Sequence, residues 1–173
     1  QLGAVAVGFD IIFPEPDRKT AADAALQTGF AVRGPDPSPY LVTFPGLLRN
    51  VPPIEQAAAG RGLFSIDPES DGIIRRVPVI MMAQGRLVPS LSMELLRVVT
   101  GSSAILVRVN DAGVAAVAVP GLELPTDRNG QFWVHFNKHD PTRYVSAKDV
   151  LRGNVPPDRL AGRRHHGVLE CSG

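Results

Sequence analysis

Short apolar runs separated by turn residues recur along this chain, and their spacing predicts several strands. Residues 4–9 are rich in valine, as in a buried strand, and residues 131–136 alternate apolar and polar side chains. Residues 105–109 and 114–119 are two apolar runs separated by Asn-Asp-Ala-Gly at 110–113, which predicts a hairpin.

Turn residues punctuate the middle of the chain. Residues 34–53 carry six prolines and are predicted to form a loop with one strand at residues 40–44. Residues 62–66 and 73–82 are then predicted to pair as antiparallel strands joined over residues 68–72, and Gln84-Gly85 predicts the next turn.

Four segments have helical spacing or helix-capping residues. The clearest helix begins after Ser90 and ends at Gly101, and its apolar face is predicted to be Leu91, Leu95 and Val98. The others are predicted from Thr20 to Leu26, with Gly29 as the stop; from Ile54 to Ala59; and from the cap Ser146 to Gly153. No linker or repeat divides the chain, so the prediction is a single α/β domain, a mixed β-sheet with flanking helices.

Composition excludes several classes of protein. The 18 basic and 17 acidic residues give a net charge of +1, which does not favour a nucleic-acid partner. A single cysteine, Cys171, excludes an intrachain disulfide and a thiolate metal site. No apolar run reaches the roughly 20 residues of a membrane span, and no signal peptide is visible. Because the chain begins within a predicted strand, we expect it to be part of a longer protein.

The stretch from Asp67 to Pro78 is the strongest candidate site. Asp67 and Asp71 flank a tight reversal, with Gly72 in the turn and Arg75-Arg76 just after it. One interpretation is a structural turn closed by an ion pair between an arginine and an aspartate. The other is recognition of an anionic ligand by whichever arginine points inward, since neighbouring strand residues face opposite sides.

Two further positions are candidates for ligand contact. Asp10 follows the predicted strand at residues 4–9, where open α/β sheets place their ligand crevices, although it could equally pair with Arg75 or Arg76. Ser90 precedes a helix whose free N–H groups could receive an anion, although such serines commonly cap their own helix.

Catalytic and metal-binding patterns are weak. The spacing of His135 and His139 would suit a metal only on a helix, and the flanking aromatic residues indicate a strand and a turn. The sequence contains neither a Gly-x-Ser-x-Gly motif nor a phosphate-binding loop with its lysine. We therefore predict no catalytic residue, no cofactor and no metal in this segment.

Several segments occur together in an order that resembles a known family. The stretches around Gly8-Phe9-Asp10, Asp71-Gly-x-x-Arg75-Arg76 and Pro89-Ser90 resemble the second family of CHASE-type domains, the cyclase/histidine-kinase-associated sensory extracellular domains. Residues 22–26 and 145–153 resemble other parts of the same pattern.

The resemblance implies an extracytoplasmic input domain of a bacterial transmembrane receptor. Such proteins carry cytoplasmic nucleotide cyclase, diguanylate cyclase or kinase modules, so the expected location is the periplasmic part of an inner-membrane protein, attached through transmembrane helices outside this sequence. The expected partners are an unknown small molecule or protein signal and a second subunit of a homodimer. The ligand contacts would be Asp10, Asp71, Arg75, Arg76 and Ser90.

Two departures from the family pattern set further expectations. The strand and helix that usually precede the Gly-Phe-Asp segment are missing, so the domain is expected to be truncated at its N-terminus and less stable than a full one. Arg163-Arg164-His165-His166 replaces an apolar strand, so residues 1–162 are predicted to form the sensor domain and residues 163–173 an atypical tail. Two alternatives to a ligand sensor remain: a structural or dimerisation module without a small ligand, and a free-standing periplasmic binding domain or enzyme.

Overall fold

A computed structural model describes residues 6–8, 28–47, 50–65 and 69–160 of the chain. The chain divides into two compact units, which are described separately. One comprises residues 11–134 and contains every strand of the described part. The other comprises residues 1–10 and 135–173.

A four-stranded mixed sheet contributes much of the core of the larger unit. Its strands are β1 (Gly29–Arg33), β6 (Ala104–Asn110), β7 (Gly113–Val119) and β8 (Leu122–Pro125), in the order β1-β6-β7-β8. β1 pairs with β6 in parallel, whereas the β6–β7 and β7–β8 pairs are antiparallel. β6 alternates buried and more exposed residues, so one sheet face presents Ile105, Val107 and Val109 to the core.

A second group of strands is built around residues 76–83. β3 (Arg76–Pro78) pairs with β9 (Gln131–Trp133), and after Val79 the chain continues as β4 (Ile80–Ala83). β4 is buried along its whole length, between the parallel β2 (Thr43–Phe44) and the antiparallel β5 (Arg86–Pro89). Thus one extended segment belongs to two small sheets in succession.

Among the described residues, two α-helices lie in the larger unit and one in the smaller. They are α1 (Pro52–Ala57), α2 (Leu91–Val99) and α3 (Ala147–Leu151). In the described part of the chain no helix is long and apolar enough to cross a membrane.

The mixed α/β class is confirmed, and so are several local predictions. Gln84 and Gly85 have positive φ angles of 50° and 73° and form the two-residue turn between β4 and β5. The hairpin over residues 110–113 forms, with Asn110 opposite Gly113. α1, α2 and α3 lie close to the predicted positions.

The predicted hairpin between residues 62–66 and 73–82 is wrong. Arg76–Pro78 pairs with β9 instead, and Leu63 forms a single parallel bridge with Ser90. Gly29 begins β1, a strand that the apolar pattern did not reveal.

Some predictions lie wholly or partly outside the described residues. The helix at residues 20–26, Asp10 and the tail at residues 163–173 are among them. Of the predicted strand at residues 4–9, only residues 6–8 are described; they are not in a strand, and Val7 is 58% exposed.

Candidate functional site

Four of the five predicted ligand contacts are described. Asp71 lies in a turn, Arg75 just before β3, Arg76 at the first position of β3, and Ser90 immediately before α2. Asp10 lies outside the described residues, so its predicted pairing with an arginine stays a prediction.

Asp71 and Arg75 form a two-pronged ion pair across the turn. The Nη1 and Nη2 atoms of Arg75 donate to Oδ1 and Oδ2 of Asp71 at 3.1 and 2.7 Å. The Ile73 N–H donates to the same Oδ1 at 3.0 Å. The Arg75 side chain, and then the Ile73 amide, lower the pKa of Asp71 below its usual value. The interpretation as a turn closed by an aspartate–arginine pair is therefore confirmed for Asp71 and Arg75.

Glu69 joins the two arginines, and sequence reasoning did not single it out. Its Oε2 accepts from Arg75 Nη1 at 2.9 Å, and its Oε1 accepts from Arg76 Nε at 3.2 Å. The expectation that only one arginine faces inward is wrong, because both side chains are 38% exposed and both reach the same carboxylate. Arg75 precedes β3, so strand alternation does not constrain its direction.

Arg76 also links the turn to the neighbouring strand. Its Nη1 lies 3.5 Å from Oδ2 of Asp127, and its guanidinium lies 5.4 Å from the ring centre of Trp133. Trp133 is opposite Arg76 in the β3–β9 ladder and is 55% exposed. Asp127 is held in place because its Oδ1 accepts from the N–H groups of Asn129 and Gln131. Arg76 thus contributes to a charged and aromatic surface over β3 and β9.

We call Glu69, Asp71, Arg75, Arg76 and Asp127 the arginine cluster. Its three carboxylates and two guanidiniums bond to one another, so the strong donors that an anionic ligand would need already have partners. Asp71 and then Glu69 raise the pKa of Arg75, which therefore stays charged. An anion that bound here would compete with these carboxylates for the two guanidiniums.

Ser90 acts as the N-cap of α2. Its Oγ accepts from the Met93 N–H at 3.3 Å, and its own N–H donates to the Val79 carbonyl at 2.9 Å. The Leu91 N–H donates to the Leu63 carbonyl at 2.9 Å. The N–H groups of Ser90, Leu91 and Met93 are thus already bonded within the protein. Anion binding at this helix end stays a prediction.

A buried ion pair on α2 was not predicted. Glu94 is 2% exposed and Arg97 is 9% exposed. Arg97 Nε donates to Glu94 Oε2 at 2.9 Å, and Arg97 Nη2 donates to Oε1 at 2.8 Å, which makes a fork. The residues predicted as the buried face, Leu91, Leu95 and Val98, are only half-buried; the buried face of Met93, Glu94 and Arg97 is rotated from them by roughly 120°.

The remaining bonds of this pair reach other segments of the larger unit. Glu94 Oε1 also accepts from Thr28 Oγ1 at 2.8 Å and from the Arg61 N–H at 3.2 Å. Arg97 donates to the carbonyls of Ser102 at 2.6 Å and Ala59 at 3.3 Å. We call these six residues the α2 knot. The three-residue spacing of an acid and an arginine within an apolar helix was the sequence signal that could have revealed it.

Two glycines allow the chain to pass close to α2. A Cβ on Gly60 would lie 2.9 Å from Cγ and Cδ of Glu94, and one on Gly62 would overlap the backbone of Leu91. Neither glycine has a positive φ angle, so the reason for glycine here is space rather than backbone conformation.

Of the candidate pair His135 and His139, the second makes an aromatic contact. The ring of His139 stacks on that of Tyr144, with the centres 4.9 Å apart. Within residues 6–8, 28–47, 50–65 and 69–160, no three His, Cys, Asp or Glu side chains are grouped so that they could hold a metal ion.

Comparison with known families identifies the chain. The CHASE2 domain family matches residues 1–165, which is nearly the whole sequence. The chain belongs to the CHASE2 family. No curated protein and no solved structure matches it significantly.

Membership says what kind of domain contains the arginine cluster and the α2 knot. CHASE2 domains are sensory domains, typically extracellular parts of signalling proteins, and are not catalytic. The resemblance inferred from Asp71-Gly-x-x-Arg75-Arg76 and from Pro89-Ser90 is therefore confirmed at the level of the family. In this CHASE2 domain the first motif builds the arginine cluster, and the second begins the helix that carries the α2 knot.

Proposed function

We propose that this CHASE2 domain is the periplasmic input domain of a bacterial inner-membrane receptor, such as a nucleotide cyclase or a histidine kinase. The observation that carries the proposal is the family match over residues 1–165. The transmembrane helices and the output module belong to the parent protein. In a homodimeric receptor, a signal that favours one arrangement of the domain would shift the population of active output modules.

We further propose that the signal acts on the arginine cluster by rearranging its ion pairs. Both guanidiniums share Glu69, so a new carboxylate or phosphate partner for one arginine would free an oxygen of Glu69. The cluster is 23–48% exposed in its individual side chains, so such a partner can reach it from solvent.

Labelling of intact cells tests the location. The parent protein would carry Cys171→Ser, to remove the natural cysteine, and Asp111→Cys in the exposed turn between β6 and β7. A maleimide that does not cross the inner membrane should label this cysteine in intact cells as fully as in lysed cells. Protein with Cys171→Ser alone sets the background. Labelling only after lysis would contradict a periplasmic location.

Output measurements test the role in signalling. Glu69→Gln should change the basal output of the parent receptor, because it weakens both arginine contacts. Glu123→Gln removes the charge from a more exposed ion pair, with Arg108 on β6, and should leave output unchanged. Equal outputs for the natural protein and both variants, at equal amounts in the membrane, would reject the role of the cluster.

A second candidate, a dimerisation module without a small ligand, is supported by one observation. Trp133 is 55% exposed beside Arg76, and tryptophan and arginine are the residues most enriched in protein–protein hot spots. Under this candidate, Trp133→Ala should weaken self-association of the parent receptor in a crosslinking assay. Trp133→Ala should leave self-association unchanged if the receptor responds to a small ligand alone.

A further inference from the structure

The α2 knot connects segments that lie far apart in the sequence. Its bonds reach the residue before β1 (Thr28), the loop that follows α1 (Ala59 and Arg61), and Ser102, two residues before β6. Gly29 and Ala104, the first residues of β1 and β6, are partners in the parallel ladder, and the Gly29 N–H donates to the Ser103 carbonyl at 3.3 Å. The knot therefore joins α2 to the starting ends of two paired strands.

The two charges have little freedom to separate. Counting partners in the described residues, Glu94 accepts four hydrogen bonds and Arg97 donates four, and hardly any of either side chain contacts water. A buried charge that loses its hydrogen-bond partners is strongly destabilised, because water cannot replace those partners while the site stays closed. If one connected segment moves away, the ion pair either loses a hydrogen bond inside the protein or becomes hydrated. Water can reach the pair only if the other connected segments also move apart.

An exposed ion pair on β6 lacks this property. Arg108 and Glu123 are 53% and 51% exposed, and Arg108 Nη1 donates to both oxygens of Glu123 at 2.8 Å. If these two side chains separate, water can hydrogen-bond to each of them, so local motion at this pair costs little free energy.

We infer that the α2 knot makes four segments open as one cooperative unit: α2, residues 59–63, and the starting ends of β1 and β6. The inference stands on the described contacts alone and does not depend on the proposed function. Without such coupling, the four segments would open separately, and β1, which lies at the edge of the sheet as far as it is described, would open most easily.

Native-state hydrogen exchange of the 173-residue chain, followed by mass spectrometry over a range of low urea concentrations, tests the inference. The reporters are the N–H groups of Gly29, Leu63 and Ser102, which are hydrogen-bonded at or beside the knot, and the hydrogen-bonded N–H groups of α2. They should share one opening equilibrium, with protection factors within about a factor of two of each other, and the same dependence on urea. Distinct protection factors and urea slopes for these segments in the natural chain would overturn the inference without any variant.

Paired substitutions separate coupling from general stability. Glu94→Leu with Arg97→Met removes both charges and keeps similar side-chain volume, an exchange that often preserves stability. We expect the Gly29 amide to exchange at least about tenfold faster than the α2 amides in this variant. Arg108→Met with Glu123→Leu is the matched control and should leave the shared opening intact. If the knot variant kept the shared opening, the ion pair would not be the cause of the coupling.

Arg97→Lys gives an independent check should the double variant fail to fold. It keeps the positive charge but cannot make the fork to Glu94 and also reach both carbonyls. Partial uncoupling of Gly29 and Ser102 from α2 is the expected result, and unchanged, uniform protection would contradict the inference.

Discussion

The Glu94 carboxylate accepts hydrogen bonds from the Nε and Nη2 atoms of Arg97, at 2.9 and 2.8 Å, in a site where Glu94 is only 2% exposed. The side chains of Arg75 and Arg76, by contrast, are each 38% exposed. Both clusters thus contain carboxylate–guanidinium pairs, but the pair in the α2 knot is buried and the pairs in the arginine cluster are exposed to solvent. We therefore expect the α2 knot to control stability and the arginine cluster to contribute little to it.

Glu94→Gln should lower the free energy of unfolding by about 3–5 kcal/mol. A guanidinium stays protonated at neutral pH even without an acidic neighbour, so Arg97 remains charged and loses its buried counter-charge in this variant. Urea denaturation followed by circular dichroism measures the loss. Glu123→Gln, at the exposed pair with Arg108, should cost no more than about 1 kcal/mol. Similar losses for the two variants would contradict the buried character of the knot.

Gly60→Ala should destabilise the protein because the added methyl group overlaps the Glu94 carboxylate. We expect a loss of about 1–3 kcal/mol, the usual cost of overpacking. Gly46→Ala is the matched control, since no described atom beyond its chain neighbours lies within 4 Å of a Cβ at that position. Thermal unfolding of both variants measures the difference. If Gly60→Ala unfolded at the same temperature as the control, the close approach of this loop to α2 would be refuted.

Ser90→Ala should cost about 1 kcal/mol, because the Met93 N–H loses its acceptor at the start of α2. Ser92→Ala lies on the exposed side of the same helix and should be neutral or slightly stabilising, since alanine favours helices. Urea denaturation compares the two directly. A loss as large for Ser92→Ala as for Ser90→Ala would show that the effect is not capping.

Stability should fall as the pH drops below about 4, partly through Asp71. Its pKa is lower in the folded protein than its usual value of 3.8, so the unfolded chain binds a proton first as the pH falls. The stabilisation is therefore present above the unfolded pKa and is lost as the pH falls through the folded one. Unfolding temperatures of Asp71→Asn between about pH 5 and pH 2 should change less with pH than those of the natural protein. If the unfolding temperatures of the two proteins changed equally with pH, Asp71 would not contribute to the loss of stability.

The coupling between Glu69 and Arg76 should be weak. A double-mutant cycle with Glu69→Gln and Arg76→Met should give a coupling free energy of about 1 kcal/mol or less. This coupling should fall as salt is added, because both side chains contact solvent. Measurements at low and high sodium chloride concentration check both points. A larger coupling that does not depend on salt would mean that the pair is shielded from water.

Local signals predicted local structure well in this chain. The Gln84-Gly85 turn and the hairpin at residues 110–113 depend on residues that are neighbours in sequence, and both form. The pairing of Asp71 with Arg75 was one of the predicted alternatives for the same reason. In each case the interacting groups are a few residues apart, so few competing arrangements exist.

Long-range pairing could not be predicted in this way. Nothing local indicates that β3 pairs with β9 rather than with residues 62–66, because both choices satisfy the apolar pattern. The buried face of α2 was mispredicted because hydrophobicity alone places Glu94 and Arg97 outside. The two charges are stabilised in the interior by pairing with each other and by partners from distant segments, which a local pattern does not show. The ligand-binding role of Asp10, Asp71, Arg75, Arg76 and Ser90 stays a prediction.

The parallel pairing of β1 with β6 also affects the order in which the protein folds. The antiparallel ladder of β6 and β7 closes through a short turn, whereas β1 must find a partner encoded far downstream, after β2 to β5 and α2. Loop closure disfavours such distant contacts early in folding, and proteins rich in them fold slowly. We expect the β6–β7 hairpin to be formed in the folding transition state and β1 to join afterwards, so that a chain emerging from the ribosome holds β1 without its partner β6 until β6 has been made.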